Sequence, residues 1–210
     1  MSCEEAWLLA TFIRSVAPGA TLAIGPIPFE GQDESFPKQA NGSPKFTIRA
    51  EKCPNRRGIE KIIKKLGGTN TDFEGFIKSA TGGSFSAAWI VGGYPKEWVT
   101  KELAASLAKI QTVIAQDILP SALTDAATLI VPSCSWAERS GCFINCQDKI
   151  QPFDSSIAPL EGCQRDGNYL YALQNEDGLY QPAKVREMMA KSMPEFAALH
   201  VPPELPAFAH

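Results

Sequence analysis

Hydrophobic and polar positions in the middle of the chain alternate between strand-like and helix-like patterns. Three short apolar runs are bounded by Gly, Pro and Asp: residues 85–91, 112–117 and 127–132. Between the first two, four apolar side chains recur at spacings of four, four and three: Val99, Leu103, Leu107 and Ile110. That spacing places them on one face of a helix, and runs this short are typical of strands covered on both faces. The pattern predicts an α/β fold with a parallel sheet, in which ligands usually bind where strands end.

The flanking segments carry weaker patterns. Helices are predicted over Glu4–Val16, Arg57–Leu66, from Thr71-Asp72 onward, and over Ala183–Ser192. We expect Asn55 to cap the second helix and Gly67-Gly68 to end it with a left-handed residue. A short buried strand is predicted at Thr21–Gly25, a long surface loop at Pro26–Pro44, a brief strand at Phe46–Ile48 and an extended segment at Asn168–Leu173. The proline-rich end, His200–His210, is predicted to be irregular.

Composition narrows the class of protein. The 210 residues are 44% hydrophobic and 20% charged with a net charge of −3, as in ordinary soluble globular proteins. Nothing in this balance indicates nucleic-acid binding, which needs a concentrated basic face. No apolar stretch approaches the roughly 20 residues that cross a bilayer, and the acidic pair Glu4-Glu5 stands where a secretory signal is basic. We therefore expect a cytoplasmic protein without direct membrane insertion.

Candidate chemistry is sparse. Four cysteines from Cys134 to Cys163 follow one another at spacings of eight, four and seventeen, which fits no common zinc or iron–sulfur pattern. We therefore expect no metal site. The two histidines, His200 and His210, both lie in the tail, so a Ser-His-Asp or Cys-His set would require the tail to fold back. Phosphate-loop and dinucleotide fingerprints are absent from the sequence. No catalytic residue is predicted.

The turn Gly92-Gly93-Tyr94-Pro95 is the first candidate binding site. Glycines let a backbone approach a ligand closely, and amides at the start of the following helix can receive a phosphate. A tight strand–helix junction alone explains the same residues. Glu138 and Asn145 flank Gly141 in the next loop, where they either orient a ligand or hold the loop through bonds to its own backbone. We favour the structural role for both.

Several segments together resemble the pterin-dinucleotide-binding part of the molybdopterin oxidoreductase family. They are Trp89–Pro95, Gln116–Ser121, Ala127–Pro132, Trp136–Asn145 and Lys149–Gln151. The flanks Phe46–Gly58 and Gly178–Val185 resemble the C-terminal part of the large iron–sulfur subunit of bacterial NADH:quinone oxidoreductase, respiratory complex I.

The resemblance implies a fold and a division of the chain. The fold is a parallel-sheet, Rossmann-like α/β domain of the molybdopterin oxidoreductase (formate dehydrogenase/DMSO reductase) type with an irregular C-terminal extension. Residues 1–80 would pack on the same sheet, residues 81–152 would form the core segment, and residues 153–210 would wrap around it. Because Met1 stands beside a mid-family sequence, we expect either a truncated form or a naturally short protein.

The resemblance also implies site residues. Gly92, Gly93, Asp117 and Ser121 fall at cofactor-binding positions, and Asp117 matches a residue that reads a guanine edge. The family usually has Asn where Tyr94 stands, and polar side chains in the loop where this chain has Ala122 and Leu123. Each nucleotide group left without a partner would cost roughly 1–3 kcal/mol. We therefore expect no cofactor here, although molybdopterin guanine dinucleotide is the one that the site would take.

The function implied is that of a scaffold domain in an NADH:quinone oxidoreductase, without an active site of its own. Its partners would be the other subunits of the peripheral arm, which would hold it at the inner face of the cell membrane. Iron–sulfur clusters would belong to the N-terminal part of the family's large subunit, which this sequence lacks. The alternative is a fragment of an oxidoreductase that still binds a pterin or nucleotide at Gly92, Asp117 and Ser121.

Overall fold

The fold is that of a computed structural model, which describes residues 1–37, 44–174 and 178–197. The helices in these ranges are α1 (Cys3–Val16), α2 (Arg56–Leu66), α3 (Phe73–Thr81), α4 (Lys101–Leu107), α5 (Ala122–Asp125), α6 (Asp166–Leu173) and α7 (Pro182–Ala190). The strands are β1 (Leu22–Ala23), β2 (Glu34–Phe36), β3 (Phe46–Ile48), β4 (Asn70–Thr71), β5 (Ala87–Val91), β6 (Thr112–Asp117), β7 (Leu129–Pro132), β8 (Gly141–Ile144) and β9 (Ile150–Phe153). Short 3₁₀ turns occupy Trp136–Glu138 and Pro194–Phe196. The predicted irregular tail lies outside the described residues.

The predicted parallel sheet is confirmed. Its strand order is β5-β6-β7, and both pairs are parallel. The register pairs Val91 with Gln116 and Asp117 with Pro132, so all three strands end at the same edge of the sheet. Coverage on both faces was expected for every strand, and this is wrong for β7, whose Leu129 and Ile130 are exposed. Strand β6 is buried because it lies between the other two.

The helical face predicted before β6 is confirmed. Val99, Leu103, Leu107 and Ile110 are all buried in one core with Val113 and Ala115 of β6 and with Leu123 of α5. Helix α4 itself is shorter than that face and begins after Thr100, whose hydroxyl accepts the N–H of Leu103 at 3.2 Å. Helix α3 packs on α4 and completes this side of the sheet.

A second core joins the two ends of the described chain. Helix α1 contacts α2, α6, α7 and β8, and its Cys3 and Leu8 are buried with Leu170, Val185 and Met189. The elements of residues 1–80 divide between the two cores, and Trp89 of β5 packs against the second core through a ring contact with Phe12 of α1. Ser2 and Glu5 start α1 with a reciprocal pair of side chain–backbone hydrogen bonds, which satisfies two amide groups at the helix end.

Other expectations fail for local reasons. Residues Asn168–Leu173 are helical in α6, because Gly167, Leu170 and Tyr171 form a buried face at helical spacing. A Cβ on Gly167 would lie 2.2 Å from the Tyr180 ring, so the chain after α6 packs directly on the helix backbone. The predicted loop Pro26–Pro44 contains β2, which pairs antiparallel with β3, and this confirms the strand at Phe46–Ile48.

Two smaller corrections concern the segment around α2. Strand β1 is only half-buried and pairs with β4, so the predicted burial is wrong. Gly67 and Gly68 end α2 with positive φ angles of 67° and 73°, as predicted, although the ψ of Gly67, −159°, lies outside the left-handed helical region. Asn55 precedes α2 without capping it, and its side chain instead bonds across the second core.

Candidate functional site at the strand ends

The parallel sheet brings Gly92, Gly93 and Asp117 together. Strands β5 and β6 end side by side, and the N–H of Gly92 donates to the carbonyl of Gln116 at 2.8 Å. Asp117, the last residue of β6, lies against the turn that follows β5 and is 7% exposed. The parallel register therefore places Gly92, Gly93 and Asp117 together where β5 and β6 end.

The Asp117 carboxylate is bound to its own backbone surroundings. Its Oδ1 accepts the N–H of Gly93 at 2.8 Å and the N–H of Ile118 at 2.7 Å. A Cβ placed on Gly92 would lie 2.1 Å from Oδ2 of the same carboxylate, so only glycine fits there. The acid thus closes the turn, and two of its hydrogen-bonding positions are used within the chain.

Tyr94 crosses this edge of the sheet. Its hydroxyl donates to the carbonyl of Pro26 at 2.5 Å, and its ring lies 5.3 Å from that of Trp98. Burial raises the pKa of the Tyr94 phenol above its ordinary value, and the nearby Cys53 and Asp117 add to the rise. The ring therefore stays neutral and holds the segment before β2 against the turn after β5.

A small cavity of about 110 Å³ remains beside these residues. Its lining consists of Tyr94, Lys96, Glu97, Trp98, Asp117, Leu119, Pro120 and Ser121. Among these lining residues, the Ser121 hydroxyl and the Trp98 indole N–H are buried without a hydrogen-bond partner in the described part of the chain. Lys96 is paired with Glu30 at 3.0 Å and is mostly exposed. The cavity has room for water or a small ion.

The side chains of the loop after β6 pack in the core or bond to the backbone. Leu123 is fully buried in the core under the sheet, and Thr124 bonds both the N–H and the carbonyl of Ser121 at 2.8 Å. The hydroxyl of Thr128 accepts the N–H of Val113 at 3.0 Å. The positions that would be polar in a nucleotide site therefore fill the core or bind the backbone.

Glu138 and Asn145 both accept hydrogen bonds from backbone N–H groups of nearby loop residues. Glu138 accepts the N–H of Ser135 at 2.7 Å and of Leu160 at 3.0 Å, and the bonds from Ser135 lower the pKa of Glu138. Asn145 Oδ1 accepts the N–H groups of Gln147 and Lys149 at 2.8 and 3.1 Å in the turn between β8 and β9. These hydrogen bonds hold the loops themselves, and none of them is made to Asp117 or to the glycine turn.

A buried ion cluster was missed by the sequence interpretation. Arg139 donates to Glu5 at 3.0 Å and to Asp166 at 2.8 Å, and all three side chains are almost fully buried. Ser133 donates to Asp166 at 2.6 Å and accepts from Arg139 at 3.0 Å. Burial and the neighbouring Glu5 raise the pKa of Asp166. The cluster ties α1, the loop after β7 and α6 together.

A second buried acid, Glu4, links helix α1 to α7 and β8. Glu4 accepts from Arg186 of α7 at 2.6 Å and from the N–H of Cys142 in β8 at 2.8 Å. Burial raises the pKa of Glu4, while these hydrogen bonds oppose the rise. The adjacent Glu4 and Glu5, beside the apolar residues that start α1, are a sequence signal that could have indicated buried partners.

The cysteines are dispersed. Cys134 and Cys142 are buried, Cys163 is half-buried and Cys146 is exposed. Burial and the charge of Glu138 raise the pKa of Cys134 to about 11, which keeps its thiol protonated at neutral pH. Among the residues with described positions, no group of three His, Cys, Asp or Glu side chains could hold a metal ion. Within the same ranges, no helix is both long and apolar enough to cross a bilayer.

The fold is α/β with a parallel sheet. At the strand ends, where such sheets usually bind ligands, the Asp117 and Tyr94 side chains bond to the chain's own backbone. No family model matches the chain. The chain is similar to NADPH-Fe(3+) oxidoreductase subunit alpha from two strains of Geobacter sulfurreducens, with 27% identity over 129 residues in each comparison. These residues are 59% of this chain and 15% of each relative, so the chain spans a small part of that subunit's length. The similarity supports an oxidoreductase-related role.

Proposed function

We propose that the chain is a scaffold domain of a multi-subunit oxidoreductase of the NADH:quinone oxidoreductase type. It has no active site of its own and supports the subunits that carry electrons. It lies in the peripheral arm at the cytoplasmic face of the membrane, where partner subunits hold it. The similarity to an oxidoreductase alpha subunit supports the general role, and the resemblance to the C-terminal part of the large complex I subunit supports the specific one.

The observation that carries this proposal is that the Asp117 carboxylate is hydrogen-bonded to the backbone around it. A carboxylate that reads guanine must accept hydrogen bonds from the base, whereas Oδ1 here accepts from Gly93 and Ile118. Its other oxygen lies directly beneath the Gly92 α-carbon. The acid therefore holds the strand ends together, which is a structural role.

The size of the neighbouring cavity also supports a structural rather than a cofactor-binding role for these residues. Pockets for small ligands usually measure about 300–1,000 Å³, and a pterin dinucleotide is a large member of that class. The cavity beside Asp117 measures about 110 Å³, and its lining includes Tyr94, which donates to the Pro26 carbonyl and lies against Trp98. The residues present therefore do not fit a pterin dinucleotide.

The loss of polar partners would oppose binding even if the site opened. Leu123 is fully buried and Thr124 bonds the backbone of Ser121, so neither is available to a nucleotide. Unpaired polar groups cost about 1–3 kcal/mol each, and every 1.4 kcal/mol is about tenfold in affinity. Two such losses, about 2–6 kcal/mol together, would weaken binding by roughly one and a half to four powers of ten.

The test uses Asp117→Asn in the native host. An amide oxygen still accepts the N–H groups of Gly93 and Ile118, so the fold is expected to persist. The carboxylate that guanine recognition would need is lost. A scaffold role predicts unchanged NADH- or NADPH-dependent ferricyanide reduction per assembled complex, and deletion of the chain reduces the amount of complex.

Tyr94→Phe serves as the matched control, because it removes a hydroxyl at the same site without changing a charge. A cofactor role predicts that Asp117→Asn abolishes activity per complex while Tyr94→Phe preserves it. That outcome, or unchanged complex levels after deletion of the chain, would contradict the proposal.

A further inference from the structure

Helix α2 carries a concentrated basic surface on a chain that is acidic elsewhere. Residues 52–65 hold six basic side chains and one acidic side chain, whereas the rest of the sequence holds 14 basic and 22 acidic ones. Arg57, Lys61 and Lys64 follow one another at spacings of four and three, so they lie side by side along the helix. The fully buried Ile62 is on the other side of the helix. We call these three residues and the adjacent Lys65 the basic stripe.

Helix stability does not explain the basic stripe. A helix N-terminus favours negative charge, yet the first turn of α2 has no acidic residue and contains Arg56 and Arg57. Like charges three and four residues apart repel one another, which applies to Arg57, Lys61 and Lys64. Only Lys64 and Lys65, in the last turn, are placed favourably for the helix dipole. The arrangement therefore costs the helix stability, and a bound anion would offset that cost.

One half of the basic stripe already binds a carboxylate. Asp148, in the turn between β8 and β9, accepts from Arg57 at 3.2 Å and lies 3.4 Å from the Lys61 ammonium. The backbone of Asp148 has a φ of 59°, which is uncommon for a residue with a side chain. These three residues, with Glu60 and Lys64, line a groove of about 250 Å³ on the protein surface. The chain itself therefore shows which chemical group this helix face binds.

The other half of the basic stripe has no acid of its own. Within the ranges that the structure describes, neither the Lys64 nor the Lys65 ammonium has an acidic partner. Both side chains are exposed to solvent. They follow directly after the pair of cations that binds Asp148, so a second carboxylate bound to them would lie about one helical turn from the first.

We infer that the basic stripe binds an acidic segment of a partner protein, whose Asp or Glu side chains contact Lys64 and Lys65 beside Asp148. The acids of a polypeptide can be spaced so that they avoid Glu60 and Asp148, which lie within the groove. The continuous negative charge of a nucleic acid or an anionic membrane would be repelled by these two carboxylates. The inference rests on the charges of α2 and of the turn after β8, and it does not depend on the proposed function.

The first experiment measures the binding of a fluorescein-labelled peptide of eight glutamates to the full chain by fluorescence anisotropy. We expect saturable binding that weakens as salt is added, and no binding of a matched peptide of eight glutamines. Lys64→Gln/Lys65→Gln should weaken binding about fivefold or more, because two ion pairs are lost. The matched control, Lys101→Gln/Lys109→Gln, removes the same charge from exposed positions in and after α4. Equal weakening in the two double variants would overturn the inference.

The second experiment removes the carboxylate that the basic stripe already binds. Asp148→Asn leaves Arg57 and Lys61 without their acid, and asparagine also tolerates the positive φ of this position. We expect the glutamate peptide to bind about threefold or more tightly. Asp154→Asn is the matched control, because Asp154 is exposed and has no ion pair within the described ranges. Equal gains in both variants would show that only the overall charge matters, which would overturn the inference.

The third experiment locates the native partner. The full chain is isolated from its host and treated with a carbodiimide, which joins a carboxyl group to a nearby amine as an amide while the carbodiimide becomes a urea. We expect an amide between Lys64 or Lys65 and an Asp or Glu of another protein, mapped by mass spectrometry. Lys101→Gln/Lys109→Gln should retain this product, and Lys64→Gln/Lys65→Gln should lose it.

The remaining outcomes would overturn the inference. They are amides formed only within the chain or only between two copies of it, and tighter binding to phosphatidylserine vesicles or to a single-stranded DNA oligonucleotide than to the glutamate peptide. Each of these results leaves the scaffold role intact, since that role is tested separately by deleting the chain and measuring the amount of complex.

Discussion

The α-carbon of Gly92 lies directly over the carboxylate of Asp117, so a single added methyl group would be 2.1 Å from Oδ2. Gly92 directly follows β5 and Asp117 is the last residue of β6, and the N–H of the neighbouring Gly93 donates to Asp117 Oδ1 at 2.8 Å. A side chain that reads a nucleotide would need open space at this point. The contact replaces that space with a bond between neighbouring strands.

Gly92→Ala is expected to lower the free energy of unfolding by about 1–3 kcal/mol, the usual cost of forcing extra volume into a packed site. Urea denaturation followed by circular dichroism measures the change. The double variant Gly92→Ala/Asp117→Gly removes the colliding carboxylate, and the steric part of the loss should then disappear. If Gly92→Ala is as stable as the parent protein, the close contact does not exist.

Arg139→Met is expected to destabilise the chain by about 3–5 kcal/mol, because it leaves Glu5 and Asp166 buried without their cation. The matched control is Arg49→Met, since the Arg49–Asp33 pair is half exposed and solvent-screened, so its loss should change stability little. Chemical denaturation of both variants at neutral pH makes the comparison. Equal losses of stability in the two variants would contradict the assignment of Arg139 as the cation of a buried ion pair.

The cost of Arg139→Met should also depend on pH. Burial raises the pKa of Asp166 above its unfolded value, and Arg139 opposes that rise, so the variant raises this pKa further. A carboxyl group with a raised folded pKa contributes its full stability below the unfolded pKa and loses it as pH increases. The difference from the parent should therefore be smaller near about pH 5 than near about pH 8. A difference that grows towards acid pH would contradict this sign.

Asn55 tests whether a helix cap or a cross-core bond is the more important role. Its Oδ1 accepts the N–H of Ile144 at 2.9 Å and the thiol of Cys3 at 3.3 Å, and its Nδ2 donates to the carbonyl of Met1 at 3.0 Å. Asn55→Ala should lower the free energy of unfolding by about 1–3 kcal/mol, the cost of leaving buried groups unpaired. A cap would be restored by Asn55→Ser, but a serine is too short to reach β8. Recovery of stability in Asn55→Ser would show that capping dominates.

Alkaline titration should report the buried phenols. Burial raises the pKa values of Tyr94, Tyr169 and Tyr180 above the ordinary value of about 10. The folded state therefore holds these protons more tightly, and stability falls as pH rises above the unfolded pKa. Phenolate absorbance from these residues should appear together with the loss of helical circular dichroism. Their ionisation in a protein that keeps its helices would contradict the described burial.

The parts of the fold that the sequence predicted are those with a clear local pattern. Val99, Leu103, Leu107 and Ile110 repeat at helical spacing because one face must be buried, and that face is buried as expected. Strands β5, β6 and β7 are short apolar runs between turns, which is the pattern of a parallel sheet. The same pattern put Gly92-Gly93 and Asp117 at strand ends, and parallel strands end on one side of a sheet.

The parts that could not be predicted depend on residues far apart in the sequence. Arg139 meets Glu5 across 134 positions, and no local pattern marks a charged residue for burial. Asn55 stands in an ordinary capping position, yet contacts with Cys3 and Ile144 determine where its side chain points. Helix α6 carries few strong helix formers, and its packing on α1 overrides that weak preference. The exposure of β7 follows from which strands are its neighbours.

The most direct test of the scaffold role is the cofactor content of the native chain. Protein isolated from its own host is oxidised in acid to release any fluorescent pterin, and molybdenum and tungsten are measured in the same sample. The closed contact between Gly92 and Asp117 predicts neither pterin nor metal above background, in protein that is recovered with other oxidoreductase subunits. One pterin per chain would contradict the account.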